Sequence, residues 1–227
     1  FDKPSAESEV FELCQSGKQR RKNELFRRAE DITTKPVRLY EAGNGTQNSN
    51  EPKTDTMIKK ELLLGDEAIA WGALNAGLSG VYAYPGTPST EITEFIQMHP
   101  LTRERGIHCN WSANEKTALE AALGMSFVGK RALVCMKHVG MNVCADAFVN
   151  SAMTGANGGL VVVAADDPSM HSSQNEQDSR FYAKFAMIPC FEPASQQEAY
   201  EMIGEAFDFS EKYQIPVLMR VTTRMAH

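Results

Sequence analysis

The feature that most constrains the fold is the alternation of short apolar runs with helical patterns from Lys59 onward. Two nearly continuous apolar runs, residues 131–136 and 160–165, are typical of strands buried on both faces. Further strands are predicted at residues 81–84, 107–111, 188–191 and 216–221, and helices beginning near Asp66, Thr90, Glu115, Met141 and Ser195. Strands separated by helices indicate parallel βαβ units. The sequence therefore predicts an α/β protein with a doubly wound, mostly parallel sheet flanked by helices.

Residues 1–56 differ in composition from the rest of the chain. A basic run at residues 18–28 and a polar segment at 42–52 indicate an N-terminal extension or linker, partly disordered or helical. The basic run suits nucleic acid or anionic lipid, but Glu24 and Glu30 interleave it, which favours an exposed helix face. Two regions are therefore expected, an extension over residues 1–56 and a domain over residues 57–227.

The net charge and the cysteines limit the partners and the compartment. A net charge of -6 argues against nucleic-acid binding, and no apolar run reaches the roughly 18 residues of a membrane span. The five cysteines are scattered and lack a Cys-x-x-Cys spacing, which indicates free thiols in a reducing cytoplasm. Cys135, His138 and Cys144 match no common ligand spacing, so no metal site is predicted in this chain.

In parallel sheets, ligands bind at the carboxyl ends of the strands. The segments 84–90, 111–115, 136–142 and 165–180 should therefore share one edge of the sheet. In the first of them, Thr87 followed by Pro88 suits a helix N-cap, and the same hydroxyls and free backbone N–H groups suit an anion.

Two further segments at this edge have both a structural and a functional interpretation. Ser112-x-x-Glu115 has the form of a capping box, in which Glu115 serves only its own helix. The alternative is that this carboxylate does chemistry at the sheet edge. The segment after residue 165 is either a plain polar surface loop or a set of groups for hydrogen bonding a ligand or partner.

Five stretches resemble the N-terminal pyrimidine-binding domain of the indolepyruvate:ferredoxin oxidoreductase alpha subunit. They are residues 62–73 (LLLGDEAIAWGA), 84–92 (YPGTPSTEI), 113–120 (ANEKTALE), 136–142 (MKHVGMN) and 165–180 (ADDPSMHSSQNEQDSR). The resemblance covers residues 57–227 and implies the thiamine diphosphate-binding fold. It also implies oxidative decarboxylation of aryl pyruvates to aryl-acetyl-CoA, with coenzyme A as co-substrate and electrons passing through 4Fe-4S clusters to ferredoxin.

The resemblance assigns roles to individual residues. Glu115 takes the place of the catalytic glutamate that bonds the aminopyrimidine ring and activates the cofactor. Substrate contacts are implied for Thr87 and Ser89, and cofactor contacts for Pro85, Gly86 and Glu115. His138, Gly140 and Asn142 are also expected to line the cofactor edge, because they follow the carboxyl end of a predicted strand. A polar loop at the active edge is implied for Asp166, Asp167, His171 and Arg180. In pyruvate-using relatives an arginine follows the strand where this chain has Asp166 and Asp167, a departure that fits a different substrate.

The resemblance also implies partners. The chain has no Gly-Asp-Gly motif for a diphosphate and Mg²⁺, and no ferredoxin-like cysteine run. We therefore expect half a cofactor site, completed by a diphosphate-binding domain in cis or in trans, with a beta subunit and ferredoxin as partners in an oligomer. Two alternatives stay open: a related oxidoreductase for pyruvate or branched 2-oxoacids, and a non-catalytic assembly module with the same fold.

Overall fold

The structure is a computed structural model that describes residues 61–227. The extension predicted over residues 1–56, its basic run and the predicted domain start at residue 57 lie outside the described residues. The described residues form one compact unit. None of their helices is long and apolar enough to cross a bilayer.

Helices and strands alternate along the described part of the chain. The strands are β1 (Gly80–Ala83), β2 (His108–Trp111), β3 (Ala132–Lys137), β4 (Leu160–Asp166), β5 (Cys190–Phe191) and β6 (Val217–Thr222). The helices are α1 (Gly65–Asn75), α2 (Thr90–Met98), α3 (Pro100–Arg105), α4 (Glu115–Phe127), α5 (His138–Thr154), α6 (Arg180–Ala186), α7 (Gln196–Tyr213) and α8 (Thr223–Ala226). All six predicted strands are present, within one or two residues of their predicted bounds.

The six strands form one parallel sheet in the order β2-β1-β3-β4-β6-β5. The parallel, doubly wound architecture is therefore confirmed. β1 and β2 end level, since Ala83 lies opposite Trp111, whereas β3 runs two residues beyond Cys135, the partner of Ala83. The chain leaves β1 toward β2 on one side and returns to β3 on the other. Such a reversal of strand order opens a crevice between the loops that follow the two central strands.

Apolar side chains cover both faces of the sheet. On one face, α1, α2 and α7 pack through large side chains such as Ile69, Ile92 and Phe207. On the other, α4 and α5 pack through Leu119 and Phe148. All seven residues of β4 are buried, which explains its uninterrupted apolar sequence. The two layers fix the positions of the helix ends that border the crevice.

Two of the predicted helix caps are wrong. The side chain of Asn114 accepts a hydrogen bond from the Thr117 amide at 2.9 Å, so the capping box belongs to Asn114 and not to Ser112. Asp66 lies inside α1 and caps nothing. By contrast, Ser195 caps α7 as predicted, accepting from the Glu198 amide at 3.2 Å.

The turn before α2 explains why Thr87 is not a helix cap. The amide and hydroxyl of Ser89 both donate to the carbonyl oxygen of Gly86, at 3.0 and 2.9 Å. The Gly86 amide donates to the hydroxyl of Thr90 at 2.9 Å. These bonds close a turn over residues 86–89, so α2 begins only at Thr90. The segment 136–142 also differs from the prediction, because β3 runs directly into α5 at His138 without a loop.

Candidate functional site

The crevice between β1 and β3 is bordered by the turn after β1 and by the start of α5. A Cβ added to Gly86 would lie 3.0 Å from Cδ of Lys137, so this turn lies against the end of β3. Lys137 in turn donates from Nζ to the carbonyl oxygen of Ser172 at 3.2 Å. The structure therefore brings the turn after β1, the end of β3 and the loop after β4 together, as the parallel topology predicts.

Glu115 is the first residue of α4, and its side chain faces the start of α5. It is 7% exposed, and its carboxylate has no hydrogen bond or ion pair with any described residue. Because Asn114 supplies the cap, Glu115 is free of that task. The positive end of α4 stabilises a negative charge at this position. The arrangement leaves a carboxylate ready to bond a group that enters the crevice.

Gly140 makes the position of Glu115 possible. A Cβ at residue 140 would lie 2.7 Å from both Cγ and Oε1 of Glu115, closer than real Cβ contacts. The glycine therefore lets the first turn of α5 lie directly against the carboxyl group. Burial, followed by the charge of Glu115, raises the pKa of the Cys144 thiol to about 12. Cys144 consequently stays protonated at neutral pH and offers neither a nucleophile nor a metal ligand.

His138 begins α5 and is fully buried. Its Nε2 lies 3.1 Å from the carbonyl oxygen of Asn175, and because a carbonyl only accepts, Nε2 carries the hydrogen and donates. Its Nδ1 is buried and has no hydrogen-bond partner within residues 61–227. His138 thus has one ring nitrogen held by the loop after β4 and one unpaired acceptor.

The remaining residues of the turn after β1 divide into exposed and buried groups. Pro85 and Thr87 are exposed at the crevice, and the carbonyl oxygen of Thr87 accepts from the hydroxyl of Ser172 at 3.5 Å. Ser89 is buried, and its hydroxyl is engaged in the turn. The hydroxyl of Ser89, for which a substrate contact was expected, already has a protein partner. The hydroxyl of Thr87 has no hydrogen-bond partner among residues 61–227.

Asn142 lies four residues into α5 and is exposed. Its Oδ1 accepts a hydrogen bond from the hydroxyl of Tyr182 on α6. The structure therefore joins Asn142 to α6, and records no contact between it and Glu115 in the described region.

Asp167 organises the loop after β4. Its carboxylate accepts from the amides of His171 and Ser172, at 3.1 and 2.8 Å, and from the hydroxyl of Thr223 at 2.8 Å. Burial alone would raise its pKa, but the hydrogen bonds from Ser172, Thr223 and His171 hold the pKa of Asp167 well below its usual range. His171 is exposed and contributes its backbone amide. The loop is therefore a defined structure built on one carboxylate.

Asp166 belongs to a buried ionic network that could not be expected from the sequence. Its carboxylate accepts from the amide of Ser179 at 3.1 Å and from Nε of Arg220 at 2.6 Å. Arg220 is 8% exposed and also pairs with Glu192. Arg180 is largely exposed and pairs with Asp178 at 2.7 Å. Periodicity predicted β6 but could not show that its arginine meets a carboxylate 54 residues earlier.

Comparisons with known proteins agree with this architecture. The model of the family described as "Pyruvate flavodoxin/ferredoxin oxidoreductase, thiamine diP-bdg" matches residues 71–227. The indolepyruvate oxidoreductase subunit IorA of Pyrococcus horikoshii is 53% identical over 169 residues, 74% of this chain and 26% of the relative. The same subunit of Archaeoglobus fulgidus is 49% identical over 180 residues, 78% of this chain and 29% of the relative. The chain thus spans little more than a quarter of these relatives.

A more distant relative and a solved structure also match this chain. The 2-oxoglutarate synthase subunit KorA of Methanothermobacter thermautotrophicus is 29% identical over 172 residues, covering 72% of this chain and 44% of that subunit. The solved structure of the 2-oxoglutarate:ferredoxin oxidoreductase from Magnetococcus marinus superposes with a TM-score of 0.63 and 22% identity. It covers 72% of this chain and 29% of that one, and it supports the fold. The chain therefore belongs to the family of thiamine diphosphate-binding domains of pyruvate flavodoxin/ferredoxin oxidoreductases.

Proposed function

We propose that this chain is the pyrimidine-binding part of an indolepyruvate:ferredoxin oxidoreductase that converts aryl pyruvates to aryl-acetyl-CoA. The observation that carries the proposal is the carboxylate of Glu115, which lies against Gly140 and has no hydrogen bond or ion pair with any described residue. The relatives near 50% identity carry the name of this activity, and because the chain spans only part of their length, the whole reaction is a proposal for it.

The residues at the crevice suit thiamine diphosphate. Glu115 offers a carboxylate without a protein partner, Gly140 leaves room beside it, and His138 offers a buried ring nitrogen without one among the described residues. When bound, the cofactor supplies the carbanion stabilisation that 2-oxoacid decarboxylation requires. In this proposal Glu115 bonds the aminopyrimidine and exchanges a proton at its carboxylate. Pro85, Gly86 and Thr87 line the crevice from the turn after β1, with Thr87 facing the substrate.

The remaining components are proposed to come from other domains or chains. A diphosphate-binding domain, in cis or in trans, would hold Mg²⁺ and the diphosphate, and other parts of the enzyme would hold the 4Fe-4S clusters. A beta subunit and ferredoxin complete the proposed cytoplasmic assembly. The exposed residues of the turn after β1, Pro85 and Thr87, are the part of this chain that such a domain would cover.

The end of β4 lacks the arginine that follows this strand in pyruvate-using relatives, and this departure fits a 2-oxoacid other than pyruvate. Asp166 and Asp167 occupy the end of β4, and their carboxylates hold Arg220 and the backbone of the loop. Neither residue supplies a cation for the substrate carboxylate, and Arg180 is already paired with Asp178. Because the chain is also similar to the KorA subunit, a 2-oxoglutarate oxidoreductase is the second candidate for its function.

The decisive experiment combines this chain with a diphosphate-domain polypeptide, the beta subunit, thiamine diphosphate, Mg²⁺ and coenzyme A. Viologen reduction is followed with indolepyruvate, phenylpyruvate, 2-oxoglutarate and pyruvate. Glu115→Gln should lower turnover by about 10²–10⁴-fold, the usual contribution of proton transfer by a positioned group. Glu120→Gln, an exposed change on the same helix, is the matched control and should retain activity.

Two results would redirect the proposal. Full turnover by Glu115→Gln removes this residue from the mechanism. Assembly of the complex without viologen reduction by any of the four 2-oxoacids favours a non-catalytic assembly module.

A further inference from the structure

Three carboxylate and imidazole side chains converge at the sheet edge, on the face opposite Glu115. They are Asp66 in the first turn of α1, Glu91 in the first turn of α2, and His227 directly after α8. One ligand atom from each lies within 4.8 Å of the other two, and Nε2 of His227 lies 4.0 Å from Oε1 of Glu91. The three residues come from distant parts of the sequence, so spacing gave no sign of them.

The carboxylate of Asp66 is buried without any hydrogen bond. The residue is 0% exposed, and neither of its oxygens has a partner among the residues that the structure describes. Oε2 of Glu91 is buried and unpaired as well. Buried carboxylates are normally paired, hydrogen-bonded or bound to a metal, because an uncompensated charge in the interior is expensive. A bound cation would compensate the buried carboxylate of Asp66 and the half-buried one of Glu91 beside it.

The packing around the cluster holds it in place. A Cβ on Gly65 would lie 1.9 Å from the carbonyl oxygen of Met225, so the start of α1 is in direct contact with α8. Ile69 of α1 and Ile92 of α2 belong to the same buried core. Asp66 and Glu91 lie at the positive ends of their helices, which offsets part of the cost of two neighbouring carboxylates. Burial, followed by the charges of Glu91 and Glu67, nevertheless raises the pKa of Asp66, and a bound cation would favour its ionised form.

We propose that Asp66, Glu91 and His227 bind a divalent metal ion of the Mn²⁺ class. Two carboxylate oxygens and one imidazole nitrogen suit Mn²⁺, whereas a softer ion would also be attracted to thiols such as the exposed Cys190. The bound charge of two would balance both carboxylates. The sequence alone predicted no metal site, because its ligand patterns register only neighbouring residues.

The metal would join three segments that otherwise meet only through packing. Glu91 follows Ser89 by two residues and thus anchors the turn that carries Thr87. His227 follows β6, whose last residue pairs with Asp166 of β4. The ion would therefore tie the turn after β1 to the far half of the sheet. The site is independent of the proposed thiamine chemistry, and its test requires no substrate.

The test is a Mn²⁺ titration of the full 227-residue chain, without a polyhistidine tag and freed of metal, followed by electron paramagnetic resonance. Saturable uptake of one ion per chain is expected, with a preference over Mg²⁺ because of the imidazole. Glu91→Gln should weaken binding by about tenfold or more. The matched control is Glu94→Gln, an exposed change on the same helix, which should leave the affinity unchanged.

A second variant covers the possibility that Glu91→Gln does not fold. His227→Gln alters a partly exposed side chain and should fold while weakening Mn²⁺ binding. The proposal is overturned if the parent chain takes up no Mn²⁺ below about 1 mM, the weak end of protein cation sites. It is also overturned if both variants bind Mn²⁺ as the parent does. If the parent chain binds no ion and Asp66→Asn is stable, Asp66 and Glu91 share a proton instead of a metal ion.

Discussion

The substitution Gly140→Ala tests whether the position of Glu115 matters for the proposed chemistry while the fold stays intact. The new Cβ would lie 2.7 Å from Cγ and Oε1 of Glu115, whereas ordinary carbon contacts are about 3.5–4.0 Å. Relief of this overlap requires a shift of about 1 Å. The atoms that must move are the flexible end of the Glu115 side chain and not backbone. The substitution should therefore move the carboxylate while leaving the helices in place.

The expected effects of Gly140→Ala have opposite signs. Replacing a helical glycine with alanine stabilises a helix by up to about 1 kcal/mol, which corresponds to about 2–4 °C in a domain of this size. A 1 Å misplacement of a catalytic group costs about 10²-fold in rate. We thus expect an unfolding temperature equal to or above that of the parent chain, with turnover in the reconstituted enzyme about 100-fold lower.

Gly124→Ala is the matched control for this prediction. Gly124 lies in α4, and a Cβ there would meet no atom within 4 Å. The variant should gain similar stability and keep full turnover. The reasoning is refuted if Gly140→Ala turns over as fast as the parent, or if both alanine variants lose activity equally.

Three further changes test the packing and the buried charges. Asp167→Asn should cost about 1–3 kcal/mol at pH 7, since its carboxylate accepts several hydrogen bonds. Because folding lowers the pKa of Asp167, this stability is present above pH ~4 and is lost as the pH falls further, so denaturant midpoints of variant and parent should converge in acid. Arg220→Met leaves Asp166 buried without its arginine and should cost about 3–5 kcal/mol, whereas Arg180→Met at an exposed pair should barely move the denaturation midpoint. Gly65→Ala drives a Cβ into the backbone of α8 and should lower the unfolding free energy by about 1–3 kcal/mol in calorimetry.

The strands and their parallel arrangement were predictable because strands buried on both faces consist almost entirely of apolar residues. The run at residues 160–165 is apolar throughout for that reason, and the structure buries all of β4. The start of α4 was also placed correctly, since Glu115 opens the helix. What sequence could not decide was which side chain caps it, because Ser112 and Asn114 are both good caps and only the backbone path selects between them.

Contacts between residues distant in sequence account for most of the site features that were not predicted. No pattern around Arg220 indicates that it pairs with Asp166. The burial of the His138 ring likewise depends on the loop after β4, whose carbonyl group at Asn175 contacts it. The start of α5 was predicted three residues late because Lys137 supplies no side-chain cap. Local patterns describe elements well, but a site at the edge of a sheet is made by elements that arrive from different parts of the chain.

The strand order has a consequence for synthesis of the chain. Among the six strands of residues 61–227, β5 pairs only with β6, and β6 lies between β4 and β5 although it is the last of the six to be made. On a ribosome, β5 therefore emerges before any strand exists for it to join. Likewise, Asp166 has no Arg220 to pair with in the nascent chain until β6 has been made. Until Val217–Thr222 has left the exit tunnel, one side of β4 stays open, and that is the interval in which a nascent chain most needs protection from pairing with another strand.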